Sequence, residues 1–108
     1  MPTKPNRDQL GFLRFTATID EWIQDRSDIL AGIAQRIDLF TNGDWGDLDE
    51  EDWQSNLDTI KSPQPGGRLM GAYKLFDGRR IWIITDGYGN SHLGPDCCYT
   101  TVLSPDDY

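Results

Sequence analysis

Hydrophobic and polar positions change period along the chain, and the change divides it into a first half that reads as helix and a second that reads as sheet. Leu13, Phe15, Ala17 and Ile19 alternate with Arg14, Thr16 and Thr18, a weak extended signal over residues 13–19. From Ser27 the spacing becomes three and four: Ile29, Leu30, Ile33, Ala34 and Ile37 make one helical stripe, with Ser27 as its N-cap. Residues 20–26 are either a separate turn or an extension of that helix. Thr41-Asn42-Gly43 ends it, because Asn and Gly accept the left-handed conformation that closes a C-terminus. Residues 43–53 then read as a tight loop feeding a second, short helix to about Ile60. Asp47 and Glu50 stand at capping-box spacing, and acids in a first turn face the positive end of the helix dipole. Ser62-Pro63-Gln64-Pro65-Gly66-Gly67 breaks the pattern.

Beyond the break, residues 68–76 and 79–85 flank Asp77-Gly78, a dipeptide suited to a two-residue hairpin turn. Counting outward from such a turn pairs Leu75 with Arg80, Tyr73 with Trp82 and Gly71 with Ile84. Ala72 with Ile83 and Lys74 with Ile81 then fall on the other face. The second strand is apolar on both faces and is therefore expected to be central, with residues 98–103 as its other neighbour after a glycine-rich loop at 86–96. The predicted fold is α+β: an N-terminal helical segment packed on a three-stranded antiparallel C-terminal sheet. The 108 residues suit a single domain, with 1–12 flexible, 13–60 mainly helical with the acidic loop, and 68–104 forming the sheet.

Charge changes this picture more than composition does. Asp38, Asp44, Asp47, Asp49, Glu50, Glu51, Asp52 and Asp58 lie between residues 37 and 60 with no Lys or Arg among them. The chain has 18 acids and 10 bases, so this stretch carries the whole net charge of −8 and the rest is balanced. A concentrated field of one sign steers association with a surface of the other. It also argues against direct nucleic-acid binding, which needs cations for the phosphates; Arg79 and Arg80 are a thin basic patch. The N-terminus has no apolar signal core, and no apolar run is long enough to cross a bilayer. Cys97 and Cys98 are adjacent and unsuited to stapling distant segments, so the simplest setting is a reducing cytoplasm.

Candidate chemistry mostly fails on spacing. Asp44, Asp47, Asp49 and Glu51 offer hard oxygen ligands, but no frame places the glycine that a calcium-binding EF-hand loop requires. His92, five residues before Cys97, is the one histidine; adjacent cysteines entering a strand point to opposite faces, so only one thiol of the pair would be positioned beside it. His92, Asp96, Cys97 and Cys98 miss the usual zinc spacings. Gly87, Gly89 and Gly94 miss the dinucleotide fingerprint, and a strand follows them where that fingerprint needs a helix. No cofactor, metal or catalytic residue is expected.

Gly43-Asp44-Trp45-Gly46-Asp47-Leu48 and Glu51-Asp52, with Arg68-Leu69, Ala72-Tyr73, Ile81-Trp82-Ile83-Ile84-Thr85 and the run from Thr100 to Tyr108, resemble a known family. It consists of small bacterial proteins found on plasmids, integrative elements and phages that share a GDWGD…ED motif and an IWIIT…TTVLxPxxY strand pair. The resemblance covers residues 37–108 and implies a genomic context more than an activity. A restriction role attached to some members is not carried over, because so short a chain has no methyltransferase motif. Two features depart from the family pattern: the longer 86–96 loop and the Cys97-Cys98 pair.

The functional expectation is a small acidic protein-binding module of the bacterial accessory genome. Asp44, Asp47, Asp49, Glu50, Glu51 and Asp52, with Trp45 and Trp53, are its partner-binding residues. The expected partner is a basic protein surface, such as that of a nucleic-acid-binding complex, and an anti-CRISPR or anti-restriction inhibitor fits the charge segregation. Two other readings stand beside it. One is a self-associating regulatory or structural protein, a homodimer joined through strand edges and an aromatic face around Tyr73 and Trp82; the other is an enzyme using His92 and a cysteine.

Overall fold

The N-terminal alternation carries a strand, β1 (Phe12–Phe15), only as far as Phe15. Thr16 then adopts an extended backbone and its hydroxyl accepts the Ile19 N–H, so the following residues start a helix, α1 (Ala17–Ile23). A separate helix, α2 (Ser27–Thr41), follows; Ser27 is its first helical residue, with Arg26 in the cap position making no side-chain cap bond. Its buried line is Ile29, Gly32, Ile33 and Phe40, whereas Leu30 and Ala34 of the expected stripe face solvent. The chain continues through α3 (Glu50–Lys61), β2 (Gly67–Lys74), β3 (Arg80–Tyr88) and β4 (Tyr99–Leu103), ending in a 3-10 turn at Pro105–Asp107. This is a computed structural model, and it describes residues 3–64, 66–90, 93 and 97–108.

The α+β class holds, but the three-stranded antiparallel sheet does not. The sheet has four strands in the order β1-β4-β3-β2 and is mixed, because β1 joins β4 in parallel with Phe12 opposite Tyr99 and Phe15 opposite Val102. A four-residue strand leaves only a weak alternation, and a partner more than 80 positions away leaves no local sign of the pairing. The central position of β3 is as expected: it pairs antiparallel with β2 on one side and β4 on the other. It also runs through Tyr88, into the stretch read as loop.

The β2–β3 register is one residue away from the expected one. The Gly78 N–H donates to the Leu75 carbonyl at 3.0 Å and the Leu75 N–H to the Arg79 carbonyl at 2.7 Å, so the connection is longer than two residues. Gly78, at φ 92°, takes the extra turn. Lys74 therefore faces Arg80, Tyr73 faces Ile81 and Ala72 faces Trp82. A one-residue slip reverses the face of every side chain in a strand relative to its partner. Tyr73 points to the helices and is buried, Trp82 points the other way and is half-exposed, and the expected aromatic face joining the two does not form.

The helix-covered face of the sheet brings Leu69, Tyr73, Ile81, Ile83 and Val102 against Ile19, Ile29, Ile33, Phe40 and Ile60. Burying a large aliphatic side chain contributes about 1.5–3 kcal/mol, so this layer is the main source of stability. The opposite face carries Phe12, Arg14, Tyr99, Trp82 and Met70, and the C-terminal turn brings Tyr108 edge-on to Trp82 at 5.4 Å. Asp107 fastens that turn by accepting hydrogen bonds from the Thr16 and Thr18 hydroxyls at 2.8 and 2.6 Å and from the Ser104 N–H at 3.0 Å. These bonds favour its charged form and hold the carboxyl below its ordinary range.

Candidate protein-binding surface

The acidic stretch is fixed to the outer edge of β2 by its own backbone. After α2 ends, the Asp44 N–H returns to the Leu39 carbonyl at 2.9 Å, and the Asp44 side chain accepts the Gly46 N–H at 3.1 Å. Gly46 then runs parallel to Ala72 for one bridge: the Ala72 N–H donates to the Trp45 carbonyl at 3.1 Å and the Asp47 N–H to the Ala72 carbonyl at 2.7 Å. The approach requires glycine. Gly46 has φ 70°, and a Cβ on it would stand 2.1 Å from the Ala72 carbonyl oxygen.

Three further contacts lock this arrangement. The Tyr73 hydroxyl donates to the Asp44 carbonyl at 2.8 Å. Trp45 is fully buried and meets the half-buried Trp53 of α3 edge-on, with ring centroids 5.2 Å apart. Among the described residues the Trp45 indole N–H has no hydrogen-bond acceptor. Asn56, one turn further along α3, bonds both backbone groups of Met70. With its edge groups taken by Trp45, Asp47 and Asn56, β2 is closed to strand addition.

The helix start differs from the predicted capping box. Asp49, not Asp47, is the N-cap of α3, its carboxylate accepting the Asp52 N–H at 2.8 Å. Three other acids are engaged locally, Asp38 with the Asn42 amide at 3.5 Å, Asp44 with the Gly46 N–H and Asp58 with the Gln54 amide at 3.0 Å. Asp47, Glu50, Glu51 and Asp52 make no side-chain hydrogen bond or ion pair among the described residues. The ion pairs found there join Arg26 to Asp28, Arg68 to Asp86 and Arg79 to Asp77, all outside residues 37–60. All eight acids of the stretch are exposed. Asp49, Glu50, Glu51, Gln54, Ser55 and Asp58 line one shallow concavity along α3.

Of the sequence-predicted residues, Asp49, Glu50 and Glu51 line this concavity and Asp44, Asp47 and Asp52 are exposed outside it, whereas Trp45 is an internal anchor with no solvent-facing atoms and Trp53 is half-covered. Sequence reasoning missed Asn56, Gly46 and Tyr73 as the residues that position the surface. Asn56 was detectable: it lies in the Trp53, Leu57, Ile60 stripe, where a polar residue has to find a partner.

Elsewhere the chemistry is sparse. Cys97 is half-buried and Cys98 buried, both as free thiols, and His92 lies outside the described residues. Among the described residues no group of His, Cys, Asp and Glu gathers to hold a metal ion, and no helix is long and apolar enough to cross a membrane. Comparisons of the chain with models of known protein families, with curated proteins and with solved structures find no match.

Proposed function

We propose that this chain is a protein-binding module whose contact surface is the acidic face formed by α3 and the loop before it, and that its partner presents a basic surface. The observation that carries the reading is the state of Asp47, Glu50, Glu51 and Asp52: four exposed carboxylates on a firmly held element, with no cation beside them among the described residues. Helix-dipole stabilisation needs fewer acids than this and leaves their outer oxygens unmatched. A rigid row of carboxylates presents negative charge much as a phosphate backbone does. In this reading the partner is a nucleic-acid-binding protein whose basic groove the acidic face occupies. The resemblance to mobile-element proteins favours a host-defence complex as the owner of that groove.

The test is capture from a bacterial lysate on the immobilised protein, compared with a Glu50→Gln, Glu51→Gln, Asp52→Asn variant that keeps the Asp49 cap. A specific partner should be retained at about 0.05 M salt, should elute by about 0.5 M, where screening confines the field to a few ångströms, and should be lost by the neutralised variant. Retention of the same partner by that variant at equal strength removes the acidic face from the interaction.

A further inference from the structure

We infer that two copies of this chain pair through the free edge of β1, antiparallel about a two-fold axis at Leu13, to form one continuous eight-stranded sheet. This goes beyond the partner proposed for the acidic face, which lies at the other end of the sheet, and does not depend on that partner.

The two edges of the sheet are treated differently. The β2 edge is closed by Trp45, Asp47 and Asn56. On the β1 edge, the Thr16 N–H donates inward to the Val102 carbonyl at 3.1 Å. Alternation along the strand turns the backbone groups of Arg14 and Phe12 inward as well, and those of Leu13 and Phe15 outward. Among the described residues no other strand of the sheet lies beyond β1. An unpaired edge is ordinarily guarded by charge, proline or a bulge. Here the one charge on the strand is turned aside: Arg14 lies flat on the open face, its guanidinium carbon 3.9 Å from the Tyr99 ring centre and its Nε bonded to the Thr101 hydroxyl at 2.8 Å. Phe12 and Leu13 flank the edge at 48% and 47% exposure, one on each face of the sheet. A mainly apolar hollow lined by Leu10, Leu13, Ile37 and Phe40, with Arg7 and Thr41 also on its wall, opens beside Leu13.

Side-chain register and the place of the acidic face select a second copy as the occupant. The acidic loop and α3 sit on the β2 side, so pairing β1 with β1 puts the two acidic faces at opposite ends of the joined sheet. Seven strand spacings of about 4.8 Å separate the two β2 strands by roughly 34 Å, several screening lengths at physiological salt. Docking through any surface that includes α3 opposes like charges instead. In the Leu13-centred register, Leu13 meets Leu13 of the second copy as a hydrogen-bonded pair, and Phe12 of each meets Arg14 of the other. Aliphatic faces aliphatic and ring faces guanidinium, with no like charges opposed. The contact is isologous and closed, so it stops at two copies and presents two acidic faces.

Sedimentation velocity from about 10 µM to 1 mM tests the pairing on the full chain. The wild type should shift from monomer to dimer, and the shift should persist or sharpen at about 0.5 M salt, because salt screens the net repulsion between copies. Leu13→Lys, which opposes two lysines at the axis, and Leu13→Pro, which deletes an outward N–H without touching the β4 ladder, should both stay monomeric. Amide hydrogen exchange on the wild type gives a reading that needs no variant: Leu13 and Phe15 should gain protection as concentration rises. A monomer at every concentration, a dimer dissolved by salt, or Leu13 and Phe15 amides whose exchange ignores concentration overturns the inference.

Discussion

Asn56 and Met70 exchange a pair of hydrogen bonds that imitates a strand: the Asn56 amide donates to the Met70 carbonyl at 2.7 Å, and the Met70 N–H donates to the Asn56 carbonyl oxygen at 3.0 Å. A single buried side chain thereby completes the outer edge of β2 and fixes α3 against it. Asn56→Ala leaves two backbone groups of that edge unpaired and should lower stability by about 2–4 kcal/mol. In urea the midpoint should fall while the slope is unchanged. Asn56→Asp should show a pH signature. At neutral pH it sets a carboxylate against the Met70 carbonyl, whereas protonation restores a donor, so its deficit relative to wild type should shrink as pH falls.

Gly46 and Gly78 both have positive φ, at 70° and 92°, but only Gly46 is crowded. A methyl at Gly46 meets the Ala72 carbonyl oxygen, whereas one at Gly78 meets nothing within 4 Å. Gly78→Ala should therefore cost only the left-handed conformation, about 1–2 kcal/mol. Gly46→Ala adds a clash with backbone and should cost about 3 kcal/mol or more, detaching the loop from β2. Comparing the two melting temperatures separates crowding from conformation. Equal losses would mean that the loop does not hold its contact with Ala72 in solution.

The Tyr73 hydroxyl supports the same loop through the Asp44 carbonyl. Burial, reinforced by the nearby Asp44 charge, pushes this phenol well above its ordinary value of 10.0. The unfolded chain thus releases the proton near pH 10 while the folded chain keeps it, so stability falls as pH rises above about 10, by about 1.4 kcal/mol per unit. Tyr73→Phe should lose about 1–2 kcal/mol at pH 7, where the hydrogen bond is missing. By pH 11.5 that gap should narrow by about 2 kcal/mol, because the variant has no proton to lose at this position. Urea titrations of both proteins at the two pH values give the comparison directly.

What the sequence discloses follows from how local each feature is. The long helix and the hairpin announce themselves through periodicity and Asp77-Gly78, and the central place of β3 through its apolar faces. The register does not, since one additional residue in the turn reverses Tyr73 and Trp82 without altering the pattern of either strand. β1 shows in the sequence only as a weak extended signal, with nothing to place it in the sheet, because Phe12–Phe15 is short and its partner distant, and Thr16 converts the continuing alternation into a helix start. The acidic surface is legible as charge. Its attachment is not, because it depends on a carbonyl of Ala72 and a backbone pair of Met70 that no side-chain pattern reports.

Beneath the sheet, Thr85, Thr100 and the Leu10 carbonyl form a buried relay. The two hydroxyl oxygens are 2.7 Å apart and Thr100 Oγ1 is 2.6 Å from the Leu10 oxygen. Thr100 has a single proton, and the carbonyl can only accept, so Thr100 donates to Leu10 and Thr85 donates to Thr100. The chain of donors makes the two threonines unequal. Thr85→Val removes the first donor and leaves Thr100 bonded to Leu10, so it should cost about 1 kcal/mol or less. Thr100→Val strands both the Thr85 hydroxyl and the Leu10 carbonyl and should cost about 2–4 kcal/mol. In the double variant the stranded hydroxyl is gone, leaving one orphan in place of two. Its loss should therefore fall short of the sum of the single losses by about 1 kcal/mol or more. Four urea titrations close this cycle, and strict additivity would show that the relay does not run in this direction.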